Sequence, residues 1–443
     1  MATSPSHSFS FSLIFLFLTL VIVAQAAVPA ANTFRYVNDG PLGEYIVEYF
    51  ADYRVTPIYT FPFTVCFYNT TPNAYTLAIR MGVRQSESIM RWVWDANRGN
   101  PVREGATLTF GTNGNLVLAD ADGRIAWQTG TANKGVVGLS LLPTGNLVLY
   151  DSRNRFVWQS FDYPTDTLLV GQSLRQAGPN NKLVSRVSDK DGSKGAYSFI
   201  LENKRMALYM KSKNSPNPLP YYKYFEFGPQ QTITSIVFDS QPEYDTAYAY
   251  EIRFELFEGN VSAGTSIVAR PKYNSTYSML RVGSDGSFKA YTYYDKVDWG
   301  AWEITYSLFD LDYVYGVSEC KLPTTCGSLG VCDDSHQCVA CPTPKGLLGY
   351  SKTCAPPTLP PCKNGVNSKN YYKVVGVKHF MNEYNDGEGP LDVSECRKKC
   401  NNDCGCLGFF YKEESSKCLI APELGTLTKV ANSSHVAYIK IAK

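Results

Sequence analysis

The string Asn113-Gly114-Asn115-Leu116-Val117-Leu118-Ala119-Asp120 returns 31 residues later as Thr144-Gly145-Asn146-Leu147-Val148-Leu149-Tyr150-Asp151. The offset holds further on, since Ile125-Ala126-Trp127-Gln128-Thr129 is matched by Phe156-Val157-Trp158-Gln159-Ser160. Two whole units are therefore in register, and a period of this length marks one supersecondary unit used repeatedly. In each unit a turn at Gly114 or Gly145 precedes an apolar strand. A second turn follows at Asp122-Gly123 or Arg153-Asn154, and a second strand carries the Trp. Each unit reads as a β-hairpin. A lone hairpin cannot bury its apolar face, so several must pack about a common axis, each delivering its Trp to the shared interior. A less regular unit running from Thr76-Leu77-Ala78-Ile79 to Trp92-Val93-Trp94 completes three hairpin-based sheets between about Glu48 and Gly171, a small threefold prism.

At 443 residues the chain exceeds one comfortable core, because domains usually run to about 100–200 residues. Its 31 Tyr and 23 Phe suit half-buried strands. Alternation continues from about Arg175 to Asp310, as in Ala247-Tyr248-Ala249-Tyr250-Glu251-Ile252-Arg253-Phe254, which predicts a second β domain with Asn214 to Pro220 as an internal loop. Near Glu319 the composition turns to Cys, Gly and Pro, and Cys354-Ala355-Pro356-Pro357 to Pro361-Cys362 reads as a stiff connector. Beyond it, Leu391 to Lys399 is the one convincing helix. Asp392 or Ser394 would cap it, and Cys396 and Cys400 would share one face.

The apolar run Phe11 to Val23 followed by Ala24-Gln25-Ala26 predicts a signal peptide over residues 1–26, and hence a secreted chain. A membrane anchor is the alternative, but it needs about 20 apolar residues, and no later segment is long enough either. The 13 cysteines agree with an oxidising compartment: Cys66 stands alone, while Cys320, Cys326, Cys332, Cys338, Cys341 and Cys354 form one set of six, and Cys362, Cys396, Cys400, Cys404, Cys406 and Cys418 another. That context favours disulfides over a metal site, and no metal or other cofactor is expected. Cys66 is either buried, as its neighbours Phe63, Val65 and Phe67 suggest, or free for an intermolecular bond. Secretion gives meaning to the sequons at Asn69, Asn260, Asn274 and Asn432. With 42 basic against 40 acidic residues there is no single-sign field suited to nucleic acid. Outside the leader only His336, His379 and His435 are available for proton transfer, and no G-x-S-x-G, H-E-x-x-H or P-loop occurs, so no enzyme is expected.

Three strings carry a family resemblance: Trp94-Asp95-Ala96-Asn97-Arg98-Gly99-Asn100-Pro101-Val102, the two Gly-Asn-Leu-Val-Leu strands, and Val157-Trp158-Gln159-Ser160-Phe161-Asp162-Tyr163-Pro164-Thr165-Asp166-Thr167-Leu168. Together they resemble the bulb-type mannose-binding lectins and S-locus glycoproteins of plants. Without a kinase, the chain looks most like the epidermis-specific secreted glycoproteins. The resemblance implies an all-β fold of tandem β-prism II domains, at 48–174 and 175–315, with Leu280-Arg281-Val282-Gly283-Ser284-Asp285-Gly286-Ser287 in the S-locus region. An EGF-like module at 316–358 and a PAN/apple (α+β) domain at 362–443 would follow. The PAN likeness further suggests Cys396–Cys418 and Cys400–Cys406 bridges and a route to homodimerisation. The location implied is the cell wall or apoplast, with wall glycans or glycoproteins as partners.

In that family a sugar pocket follows Q-x-D-x-N-x-V-x-Y along one strand, where alternate residues share a face and bond hexose hydroxyls. The first copy here gives Gly111, Asn113, Asn115, Val117 and Ala119. The second gives Leu142, Thr144, Asn146, Val148 and Tyr150, and a third gives Gly283, Asp285, Ser287, Lys289 and Tyr291. None is complete, and each unpaired hydroxyl costs about 1–3 kcal/mol. Thr144 to Tyr150 is the fullest copy. The competing reading has Asn115 and Asn146 holding tight turns, Val117 and Val148 filling the prism, and Trp127 and Trp158 packing. Two functions remain: carbohydrate or glycoprotein recognition with eroded mannose motifs, or a structural or protein-binding wall glycoprotein.

Overall fold

A computed structural model describes residues 27–83, 89–178, 180–243, 249–271, 273–362 and 367–442. The expected signal peptide lies outside them. Within them the two copies of the repeat are hairpins sharing one register and one irregularity. Leu116–Ala119 pairs with Ile125–Gln128, with a register shift between Leu118 and Ala119. Leu147–Asp151 pairs with Phe156–Gln159, shifting between Leu149 and Tyr150. The third hairpin, Thr76–Met81 with Arg91–Asp95, shifts between Ile79 and Arg80. Each bulge follows the residue that faces the tryptophan: Leu118 opposes Trp127, Leu149 opposes Trp158, and Ile79 opposes Trp94. A bulge adds twist, which turns each hairpin toward the axis. Gly114 and Gly145, at φ +78° and +84°, let each turn pass close to a neighbouring sheet. A Cβ there would lie 2.7 Å from Val136, or 2.7 Å from both Leu169 and Phe63.

Further strands widen these hairpins. Phe34–Val37 and Thr107–Phe110 extend the first copy, Val136–Leu141 the second, and Asp52–Thr60 and Phe63–Asn69 the third. Their inner faces meet in one core that includes Phe67, Leu77, Ile79, Leu108, Leu118 and Leu149. The prism thus starts at Phe34, ahead of Glu48, because Phe34 stands opposite Phe110 on the open edge of its sheet.

A second prism has three four-stranded sheets. Three short consecutive strands, Thr167–Leu169, Ser173–Arg175 and Lys182–Arg186, each enter a different sheet. The string at the end of the first prism therefore supplies a strand to the second, with Leu168 in the second core and Leu169 in the first. The join falls at Thr167 and not at Arg175, since one apolar pair serves both interiors.

The cysteine-rich region forms two sheets. In one, Leu329–Cys332 runs parallel to Gly425–Lys429, so the two cysteine sets share a ladder across nearly a hundred residues of sequence. Disulfides join Cys320–Cys332, Cys326–Cys338, Cys341–Cys354, Cys362–Cys404, Cys396–Cys418 and Cys400–Cys406. The helix is Val393–Asn401, capped by Asp392, whose carboxylate accepts from Ser394 N at 2.7 Å. Cys396 and Cys400 lie on its buried face, and Lys440 Nζ donates to the Cys400 carbonyl at 2.7 Å near its end. Among the described residues no helix is long and apolar enough to cross a membrane.

Candidate functional site

The repeated asparagines point inward to their own hairpins. Asn115 Nδ2 donates to Gln128 Oε1 at 2.9 Å, and its Oδ1 accepts from Thr129 Oγ1 at 3.0 Å and Thr131 N at 3.1 Å. Asn146 repeats this with Gln159 at 2.8 Å and with Ser160 Oγ and Phe161 N at 3.2 Å each. Both amide oxygens are fully used, and both residues are buried. They tie the first strand of each hairpin to the last residue of its Trp strand and to the residues just beyond it. Val148 is 1% exposed, which leaves no surface for a ligand; Val117 is half-buried. Tyr150 lies over Gly138, whose Cβ position falls 2.4 Å from the phenol oxygen. Thr144 and Asn113 are exposed, but Asn113 Oδ1 already accepts from Asn115 N at 3.0 Å. In the third copy Asp285 Oδ1 likewise accepts from Ser287 N at 2.9 Å.

The tryptophans do pack, and they also form the floor of an opening. Trp94, Trp127 and Trp158 meet edge to face, with centroids 5.9, 6.1 and 5.7 Å apart and planes at 70–74°. This arrangement suits rings with negative faces and positive edges. Tyr163 stacks on Trp158 at 5.6 Å and 17°, held there because Trp94 Nε1 donates to its carbonyl at 2.9 Å. The residue stays 48% exposed. Above the rings lies a cleft of about 440 Å³, walled by Gln128 and Thr129 from the first prism and Lys182, Val184 and Lys194 from the second. Sequence reasoning missed this role for Tyr163. The signal was Phe161-Asp162-Tyr163-Pro164, directly after the repeat ends.

Buried charge fixes the two prisms against each other and so sets the width of the cleft. Arg98 donates to the carbonyls of Gly192, Val184 and Ser185 at 2.9, 2.8 and 3.0 Å. Arg281 meets Glu48 at 2.7 Å, and Arg91 meets the same carboxylate at 2.6 Å. Arg186 donates to Tyr68 at 2.7 Å, and Tyr68 to Asp95 at 3.2 Å. Burial raises Asp95, which Arg186 and Arg98 only partly offset. Burial would raise Asp166 too, but Arg98, Arg281 and Arg186 hold it below the usual range.

Of the four sequons, Asn260, Asn274 and Asn432 are exposed, whereas Asn69 is 5% exposed beside this junction. Cys66 is fully buried, and burial pushes its thiol up to about 12.

A family model described as D-mannose binding lectin matches residues 91–190, a span that holds Trp94, Trp127, Trp158 and Tyr163. EP1-like glycoprotein 2 of Arabidopsis thaliana is 52% identical over 443 residues, covering 94% of this chain and 96% of that protein. The epidermis-specific secreted glycoprotein EP1 of Daucus carota is 53% identical, covering 79% and 92%. The G-type lectin S-receptor-like serine/threonine-protein kinase SD2-5 of Arabidopsis thaliana is 26% identical, covering 84% of this chain but 43% of the kinase.

Proposed function

The chain belongs to the EP1-like glycoproteins, with a lectin domain and no enzymatic role, and on that footing we propose that it recognises carbohydrate in the cell wall or apoplast through the aromatic cleft. One observation carries this reading: the exposed Tyr163 and the partly exposed Trp127 present ring surface inside a concavity bordered by polar side chains, with the buried Trp94 and Trp158 beneath them. A pyranose has an apolar face of C–H groups that can be buried on a ring, while its hydroxyls need donors and acceptors at the rim. Gln128 Nε2, Lys182 and Lys194 stand where such partners are required. Placement outside the cell is supported by the relative named as a secreted glycoprotein.

The mannose motif positions contribute little to binding on this reading, because Asn115 and Asn146 are engaged internally and Val148 is covered. The same observation favours the second reading, a prism kept as a scaffold for protein contacts. Passage of the secreted protein over mannan and other immobilised wall polysaccharides separates the two. Retention with release by free sugar supports recognition, whereas free passage over every matrix together with capture of a protein partner supports the scaffold.

A further inference from the structure

The strand Val261–Ala269 is the open edge of its sheet, outside Tyr250–Glu258. It reads Val-Ser-Ala-Gly-Thr-Ser-Ile-Val-Ala, without a charge or a proline over nine residues. Val261 is 71% exposed, and exposure continues through Thr265 with only Ala263 partly covered. Its register against Tyr250–Glu258 shifts twice, between Ser262 and Gly264 and between Ile267 and Ala269. An edge like this presents unpaired N–H and C=O groups to any second strand, and proteins ordinarily blunt it with lysine, proline or a cover. Here lysine and proline are absent from the strand; its two bulges twist it, and the cover is confined to its far half, where Ile267 to Ala269 line a cleft with Asp312 to Tyr315, so that Val261 to Thr265 stay open.

Two sequons stand at the ends of this strand. Asn260 occupies the turn before Val261 and is exposed. Asn274 is exposed at the opposite end, where its Oδ1 accepts from Thr276 N at 2.9 Å. Ser275, next to it, touches Ser240 at 2.7 Å, two strands in from the edge. We propose that N-glycans on Asn260 and Asn274 bracket this edge and prevent two copies of the chain from pairing through it. Glycans are bulky and hydrated, so a second strand cannot approach in register past the Asn260 turn. Asn432, in the cysteine-rich region, has no part in this. The inference rests on passage through the secretory lumen and is independent of the aromatic cleft.

The test uses the full chain secreted from a eukaryotic host. Mass spectrometry gives occupancy, and light scattering gives the mass before and after enzymatic removal of glycans from the folded protein. The expected result is occupied Asn260 and Asn274, with at least a doubling of mass on deglycosylation. N260Q should associate in the same way without enzyme, and N432Q should not. Thr265→Lys places a charge in the edge opposite Glu255 and should keep the deglycosylated protein at its original mass. An unoccupied Asn260, an unchanged mass after stripping, or association that Thr265→Lys leaves intact would each overturn the proposal.

Discussion

Trp127 lies edge-on to Trp158 with ring centroids 5.7 Å apart and planes at 72°, and the two occupy equivalent positions of the 31-residue repeat. Each stands opposite a buried leucine just before a bulge, so the repeat in sequence becomes a rotation about the prism axis. Trp158→Ala should therefore cost about 3–5 kcal/mol, the range for emptying a large aromatic site. Chemical denaturation would show it as a lower midpoint at unchanged slope.

Asn146→Ala leaves the Gln159 amide oxygen, the Ser160 hydroxyl and the Phe161 N–H without their partner. A loss of about 1–3 kcal/mol is expected, and Asn115→Ala should match it. Under conditions where the variants stay folded, polysaccharide binding should be that of the parent protein, because these amides hold hairpins together.

Much of this was legible in the sequence and some was not, for physical reasons. Periodicity and turn residues revealed the hairpins, because Gly114 and Gly145 are required where the chain turns at positive φ close to another sheet. Pairing between distant segments leaves no such local mark. Phe34 opposite Phe110, Thr167 opposite Arg281 and Leu329 beside Gly425 depend on which edge is open once the prisms exist. Asn69 reads as a sequon like the others, and its burial follows only from the meeting of the two prisms.

Glu48 joins those prisms by accepting from both Arg91 and Arg281. Glu48→Ala leaves Arg281 buried without its carboxylate, at a cost of about 3–5 kcal/mol. Pairing Glu48→Gln with Arg281→Met should recover part of that loss, since the stranded charge is gone. A double-mutant cycle on thermal or denaturant stability measures the coupling.

His379 gives the cysteine-rich region a dependence on pH. Its Nε2 lies 2.8 Å from Glu423 O and its Nδ1 accepts from Met381 N at 3.2 Å, an arrangement that fits the neutral ring. Burial pushes it down to about 4, although the Glu423 carbonyl opposes this. The unfolded chain takes up its proton at a pH of about 6.5. Stability from this group is thus complete above about 6.5 and falls away as the pH drops toward about 4, by up to about 3 kcal/mol. Midpoints measured from pH 7 to 4 should decline more steeply for the parent than for His379→Gln.

The role of Tyr163 is tested most directly by affinity electrophoresis of the parent, Tyr163→Ala and Tyr150→Phe through gels containing mannan, xyloglucan, xylan or pectin. Losing one stacked ring is worth about 1–1.5 kcal/mol, roughly tenfold in affinity. Tyr163→Ala should therefore run almost unretarded in the gel that slows the parent, and Tyr150→Phe should be slowed like the parent. Equal retardation of Tyr163→Ala, or a loss confined to Tyr150→Phe, would contradict recognition at the tryptophan-floored cleft.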